Sequence, residues 1–212
     1  MRTTNNRAFI ALAVLIASTF VAGAHSTSAS SGRPVANLAA GVNNLNPAPR
    51  VEKRDLVITR VFDAPVELVW KAWTDPDYVM RWWGPTGFTS PSCKIDFREG
   101  GKFVFHMRAP KDFQGGQDFY TAGVYKKIVP LKLIEYSQGL ADKDGNRIDP
   151  AKMGMPPDFP KEIPSALAFK RVGGKTELTA TEYGWTAGQM REMSEAGLSQ
   201  CLDKLAEVLA KR

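Results

Sequence analysis

Apolar and polar residues alternate along Asp55–Phe62 (DLVITRVF), with Leu56 and Ile58 on one side and Val57, Thr59 and Val61 on the other, which predicts a β-strand. The period then changes. Val66, Val69, Trp70 and Trp73 recur at helical spacing behind Pro65, with Asp63 as a possible cap. Asp75-Pro76 ends that helix and opens a second short one over Asp77–Trp83, closed by Gly84-Pro85. Alternation resumes in Ser92–Phe97, where Cys93, Ile95 and Phe97 share a face. After a Glu99-Gly100-Gly101 turn it continues in Lys102–Arg108, where Phe103, Phe105 and Met107 share one. Phe119–Ile128 and Leu131–Ser137 form a pair bent at Pro130, and Ser165–Val172 and Lys175–Glu182 a hairpin through Gly173-Gly174. Between these pairs, Gly139–Pro164 is too rich in proline and turn dipeptides for regular structure, and a connection of that length is usually functional or mobile. Thr186–Lys211 closes the chain as one long helix whose stripe includes Met190, Met193, Gly197, Leu198, Cys201, Leu202 and Leu205. The order is strand, two short helices, six antiparallel strands and a long helix, an α+β chain.

The stretch Val61–Phe88 holds four of the five tryptophans, Trp70, Trp73, Trp82 and Trp83. Two short helices so rich in aromatics must lie against a sheet or wall a pocket. Trp70 and Trp73 suit a core. Trp82 and Trp83 are adjacent, so one faces inward and the other outward or toward an opening.

The string WxAWTxPxxxxRWWGPxGF within this stretch closely resembles the family related to the activator of heat-shock protein 90 ATPase. That family belongs to the START-like (SRPBCC), birch-pollen-allergen-like helix-grip superfamily. CKIDFREGGKF (Cys93–Phe103), GVYKKIVPLKLIEYS (Gly123–Ser137), GGKTELTATE (Gly173–Glu182) and LDKLAEVLAK (Leu202–Lys211) match in order, so the likeness spans Asp55 to Lys211. It implies a helix-grip fold, a curved antiparallel sheet with two short helices wrapped around a long C-terminal helix. It also implies a cavity between sheet and helix, lined here by Phe103, Phe105, Met107, Met190 and Met193 with Trp82 and Trp83 near the mouth. This chain departs from the family in three places. Lys127 replaces an acidic residue, Leu131 replaces the second proline of Ile-x-Pro-Pro, and Gly197-Leu198 stands for Gly-Trp, which removes bulk from the helix face toward the cavity.

The two ends differ in kind. Met1–Arg7 is basic without an acid, Ala8–Ala24 is uncharged and mostly apolar, and Ala22-Gly23-Ala24 supplies small residues, the pattern of a secretory signal peptide cleaved after Ala24. The alternative is a membrane anchor through residues 8–24, although the run is shorter than the roughly 20 apolar residues a spanning helix wants. Residues 25–53, rich in Ser, Ala, Asn, Gly and Pro, read as a flexible tether, and 54–212 as one domain. An exported protein, periplasmic or secreted, without a stable membrane span after processing is expected. The formal charge is +6, two of it from Arg2 and Arg7, and the other basic residues are scattered, which disfavours nucleic-acid binding.

The candidate chemistry is sparse. His106, opposite Phe105 in the alternation, reads as an exposed histidine, and without a second histidine or Cys-x-x-Cys nearby it makes no zinc site. Asp142, Asp144 and Asn146 resemble alternate calcium ligands, but Arg147 stands where that loop needs glycine, so a polar turn is expected and no metal. No nucleophile motif, phosphate loop or cofactor signature occurs, and Asp96, Glu99 and Glu135 read as lone carboxylates. Cys93 and Cys201 both fall on inward faces, either bridged in an oxidising compartment or packed as free thiols. Three functions follow. The first is an exported, non-catalytic carrier or sensor that binds a small apolar molecule without a cofactor. The second, from the resemblance, is a co-chaperone in the stress response with a protein partner, stimulating heat-shock protein 90. The third is a cyclase- or hydrolase-type enzyme using the same cavity.

Overall fold

The computed structural model describes residues 52–113 and 115–211. The expected signal peptide, residues 1–24, and residues 25–51 of the expected tether lie outside the described residues.

Strand β1 (Lys53–Phe62) begins two residues before the expected Asp55 and leads into α1 (Val66–Thr74) and α2 (Pro76–Trp82). Pro65, not Asp63, occupies the N-cap of α1, and Asp63 pairs instead with Lys175 at 3.7 Å. Asp75 caps α2, its carboxylate accepting from Asp77 N at 2.9 Å. That side chain satisfies an otherwise orphaned donor and lets the chain turn sharply between the two helices. Then come β2 (Cys93–Ile95), β3 (Lys102–Arg108), β4 (Asp118–Val129), β5 (Leu133–Ala141), β6 (Ile163–Val172), β7 (Lys175–Thr186) and the long helix α3 (Gln189–Ala210). The strands form one antiparallel sheet in the order β1-β7-β6-β5-β4-β3-β2, the helix-grip arrangement. Only the two ends of the chain's strand run, β1 and β7, are brought together by a long connection; every other pairing joins sequence neighbours.

Two strands run four residues past their expected ends. β5 continues through Gln138–Ala141, of which Gly139–Ala141 fall in the stretch expected to be irregular, and these four residues are buried. β7 passes Glu182 and runs to Thr186, so α3 starts only at Gln189. The remaining connection between β5 and β6 is a polar turn followed by a short 3-10 turn at Pro150–Met153. In the polar turn Asp142 Oδ1 accepts from the backbone N–H of both Asp144 and Asn146 at 2.9 Å, which explains the acidic residues there without a cation.

The core lies between the inner face of the sheet, α1, α2 and the C-terminal half of α3. Val66, Val69, Trp73, Val79 and Trp82 from the two short helices meet Leu56, Ile58, Leu167 and Leu178 from the sheet and Leu202, Leu205 and Leu209 from α3. Fully burying each such side chain contributes on the order of 1.5–3 kcal/mol. The two halves of α3 therefore differ. From Cys201 onward one side of the helix is buried in this core, whereas Met190–Gln200 contains no fully buried residue.

Candidate functional site

Where α3 stops packing tightly, a pocket opens. It has a volume of ≈ 490 Å³ and lies between the N-terminal half of α3, strands β3, β4, β5 and β7, and the loop after α2. Trp83, Pro85 and Phe88 supply one wall, Met107 and Leu140 come from the sheet, and Met190, Met193 and Leu198 from the helix. Gln189 and Glu192 line it while remaining exposed, which places the rim at the start of α3.

The loop wall is held to α3 by polar contacts. Lys204 Nζ donates to Gly84 O (2.8 Å) and Phe88 O (2.9 Å), and Thr86 N–H donates to Gln200 Oε1 (3.0 Å). Gly84 permits the turn: its φ is +100°, and a Cβ there would lie 3.0 Å from Phe88 Cβ.

Of the seven expected ligand-binding residues, Trp83, Met107, Met190 and Met193 line this pocket and Trp82, Phe103 and Phe105 do not. Trp82 is fully buried, its indole N–H donates to Ala72 O at 2.9 Å, and its ring meets Trp73 at 4.6 Å. Phe103 is seated over Gly123 of the neighbouring strand, so closely that a Cβ on that glycine would fall 2.3 Å from the ring. Phe105 packs on Phe103 and Trp83, at 4.8 Å from each. Phe103 and Phe105 line only a void of ≈ 10 Å³, room for one water at most. Phe103 and Phe105 face inward as expected, but Trp73, Tyr125, Ile134, Tyr136 and Leu167 leave almost no space beside them, and Trp82, expected near the mouth, is buried in the core.

The polar element of the pocket is Glu182, which the sequence reading left as the last residue of a strand. It is 8% exposed. Its Oε1 accepts from Gln138 Nε2 at 3.0 Å, and its Oε2 accepts from Trp185 Nε1 at 3.0 Å and Ser194 Oγ at 3.4 Å. Burial is the largest influence on this carboxyl and pushes its pKa up to about 7, against the three donors, which favour the charged form. All four residues line the pocket. The one available sequence signal was Gly184, a lone glycine within a strand-like pattern, which marks a bulge.

Two further expectations meet the structure here. His106 does lie on the outer face of β3, but it is 4% exposed rather than open to solvent. Residues 89–92 run over that face, with Ser90 Oγ donating to His106 O (2.7 Å) and Ser92 Oγ 2.9 Å from Nδ1, while Tyr120 stacks on the ring at 4.4 Å. Nε2 lies 2.9 Å from Asp118 Oδ1. Cys93 and Cys201 are both free. Cys201 lines the pocket, and burial pushes its thiol up to about 12, which makes it a poor nucleophile. Among the described residues no group of three or more histidine, cysteine or acidic side chains is placed to hold a metal, and no helix is long and apolar enough to cross a membrane.

Comparison with known proteins gives a consistent family. The pattern described as "Activator of Hsp90 ATPase homolog 1-like protein" matches residues 63–210. The chain is similar to the crystal structure of the AHSA1 protein from Silicibacter pomeroyi, with 23% identity, 74% of this chain and 98% of that one covered and a TM-score of 0.59. A Chromobacterium violaceum protein is 25% identical over 74% of this chain and 98% of its own, with a TM-score of 0.58. The solution structure of an AHSA1-like protein from Aeromonas hydrophila is 21% identical, covering 74% and 92%, with a TM-score of 0.54. No curated protein matches the sequence.

Proposed function

The chain belongs to the Activator of Hsp90 ATPase homolog 1-like protein family, and from that premise we propose that it binds a small, largely apolar molecule between the sheet and α3 without transforming it. The observation that carries this reading is the pocket itself. Its size, ≈ 490 Å³, falls in the range of small-molecule sites, and its wall combines flexible methionines with aromatic rings around a few polar groups. Met107, Met190 and Met193 can re-pack around differently shaped apolar bodies.

The groups on the wall support a binding rather than a catalytic role. A covalent mechanism needs a nucleophile with a base beside it, and the Cys201 thiol is held protonated by burial with no histidine lining the pocket. Glu182 accepts from Gln138, Trp185 and Ser194, which hold it in place as a fixed acceptor. In this reading residues 1–24 are a cleaved signal peptide and 25–51 a tether leading into β1, so the domain carries or senses its ligand outside the cytoplasm.

Native mass spectrometry with organic extraction, on full-length protein expressed in and recovered from its natural compartment, tests both parts. The expected result is a mature chain starting at His25 with a co-purified apolar compound. An intact Met1 with an empty pocket would overturn export and carriage together.

A further inference from the structure

We infer that the pocket selects ligands in which an apolar body carries a single organic cation, such as a protonated amine, anchored on the Glu182 carboxylate. This rests on the pocket-binding reading above and names the polar end of the ligand.

The first ground is charge. The ionisable side chains lining the pocket are Glu182, Glu192 and Cys201; the lining contains no lysine, arginine or histidine. The titratable groups facing Glu182 from the elements packed against it are Tyr136 on β5 and Cys201 on α3, both held neutral by burial and both pushed further up by the Glu182 charge. Its neighbours across the sheet, Leu56 on β1 and Ser165 on β6, carry no charge. Among the described residues an ionised Glu182 therefore has no counter-ion. A buried carboxylate in that position favours an incoming cation and repels an incoming anion.

The second ground is the hydrogen-bond inventory. An ionised carboxylate offers about four acceptor positions, and Glu182 uses three, one on Oε1 and two on Oε2. One position on Oε1 is left. The indole N–H of Trp185 is a donor only and cannot reverse its role, so it favours a charged acceptor over a protonated acid. An ammonium supplies both the missing donor and the missing charge. A neutral carbonyl ligand supplies neither.

The third ground is the aromatic wall. Trp185 and Phe159, whose rings meet edge-on at 5.6 Å, line the pocket with Trp83 and Phe88. Ring faces attract a cation and tolerate an apolar body equally well. The upward push on the Glu182 carboxyl agrees with this picture, because a charge lacking its partner is disfavoured until the partner arrives.

Three probes of one shape separate the possibilities: 2-naphthylmethylamine, 2-naphthylmethanol and 2-naphthoate, titrated calorimetrically into the full chain. At about pH 8 the amine should bind about tenfold or more tightly than the alcohol, with the naphthoate weakest. On lowering the pH to about 5.5 the amine should lose about tenfold in affinity while the alcohol holds constant. Glu182→Gln should bring the amine down to the alcohol. If that variant does not fold, the wild-type ranking and its pH dependence decide. Equal affinities, or a preference for naphthoate, would overturn the cation inference and leave the apolar pocket standing. No binding of any of the three would overturn both.

Discussion

Trp185 Nε1 donates to Glu182 Oε2 at 3.0 Å although the two residues sit three apart on one strand, where regular alternation would send their side chains to opposite faces. A β-bulge removes the conflict. Leu56 of β1 faces Glu182 and Arg54 faces Trp185, so β7 spends three residues where β1 spends two. The extra residue returns Trp185 to the inner face. Gly184 supplies the turn with a φ of +75°, and its N–H donates to Asp55 Oδ1 at 3.0 Å. The floor of the pocket thus depends on one backbone irregularity in β7.

Substitution at Gly184 tests that dependence. A Cβ there meets nothing within 4 Å, so the cost of Gly184→Ala comes from the left-handed backbone alone, about 1 kcal/mol. Gly184→Asn should cost less, since asparagine tolerates that region. Urea denaturation should rank glycine, asparagine and alanine in that order of stability. Equal stabilities would mean that the bulge is not held by the glycine.

The stability of the protein should fall as pH rises through neutrality. Unfolded, the Glu182 carboxyl has its usual value of 4.5; folded, burial raises it to about 7. Below the unfolded value the group is neutral in both states. Between the two values the unfolded chain releases its proton first, and the native state loses up to about 3 kcal/mol by the time pH passes the folded value. Asp118 has the opposite sign. Arg108 holds it at about 2, so its contribution disappears only in acid below the Glu182 window. Denaturation midpoints from about pH 5 to about pH 8 should decline in the wild type, and Glu182→Gln should flatten that slope.

Much of the fold was legible because each element carried a local cause. Asp75-Pro76 separated the helices, Gly-Gly pairs closed hairpins, and alternation assigned faces to β3 and β7. What alternation cannot report is what lies across from an inward face. Trp82, Phe103 and Phe105 are buried in the core beside Trp73, Tyr125 and Tyr136, whereas Met107 and Trp83 line the unfilled space against α3. His106 was misjudged for a related reason: residues 89–92 cover it, and that contact spans 14–16 residues of chain. Glu182 was missed because the strand reading stopped there. Its importance comes from Gln138, Trp185 and Ser194, which arrive from another strand, a bulge and a helix.

Lys204 should govern the order of the loop wall. Its ammonium, half-buried, donates to the carbonyls of Gly84 and Phe88, and burial pulls its pKa down. Lys204→Met keeps the apolar stem and removes both donors, leaving two carbonyls to find other partners, at a cost of about 2 kcal/mol. Hydrogen exchange should show faster opening at residues 84–88 in the variant while β6 and β7 stay protected. Unchanged protection of the loop would assign its order to Gln200 and Phe88 packing instead.

The same helix face offers a way to separate stability from binding. Gly197 lies inside α3, lines the pocket, and has nothing within 4 Å of where a Cβ would be. Gly197→Ala should therefore stabilise the protein by about 0.5–1 kcal/mol, through helix propensity without a clash. One methyl takes up little of the ≈ 490 Å³, so binding of an apolar probe should change little. Leu198→Trp adds an indole ring at the next position on the pocket wall. It should fill the space, weaken the same probe by about tenfold, and leave the folded state at least as stable, because the added surface is buried against Met and aromatic side chains. Thermal melts and probe titrations of the two variants should thus move independently, stability up in the first and affinity down in the second. If Leu198→Trp instead lowers stability and leaves binding unchanged, the space beside α3 is closed in solution and the ligand sits elsewhere.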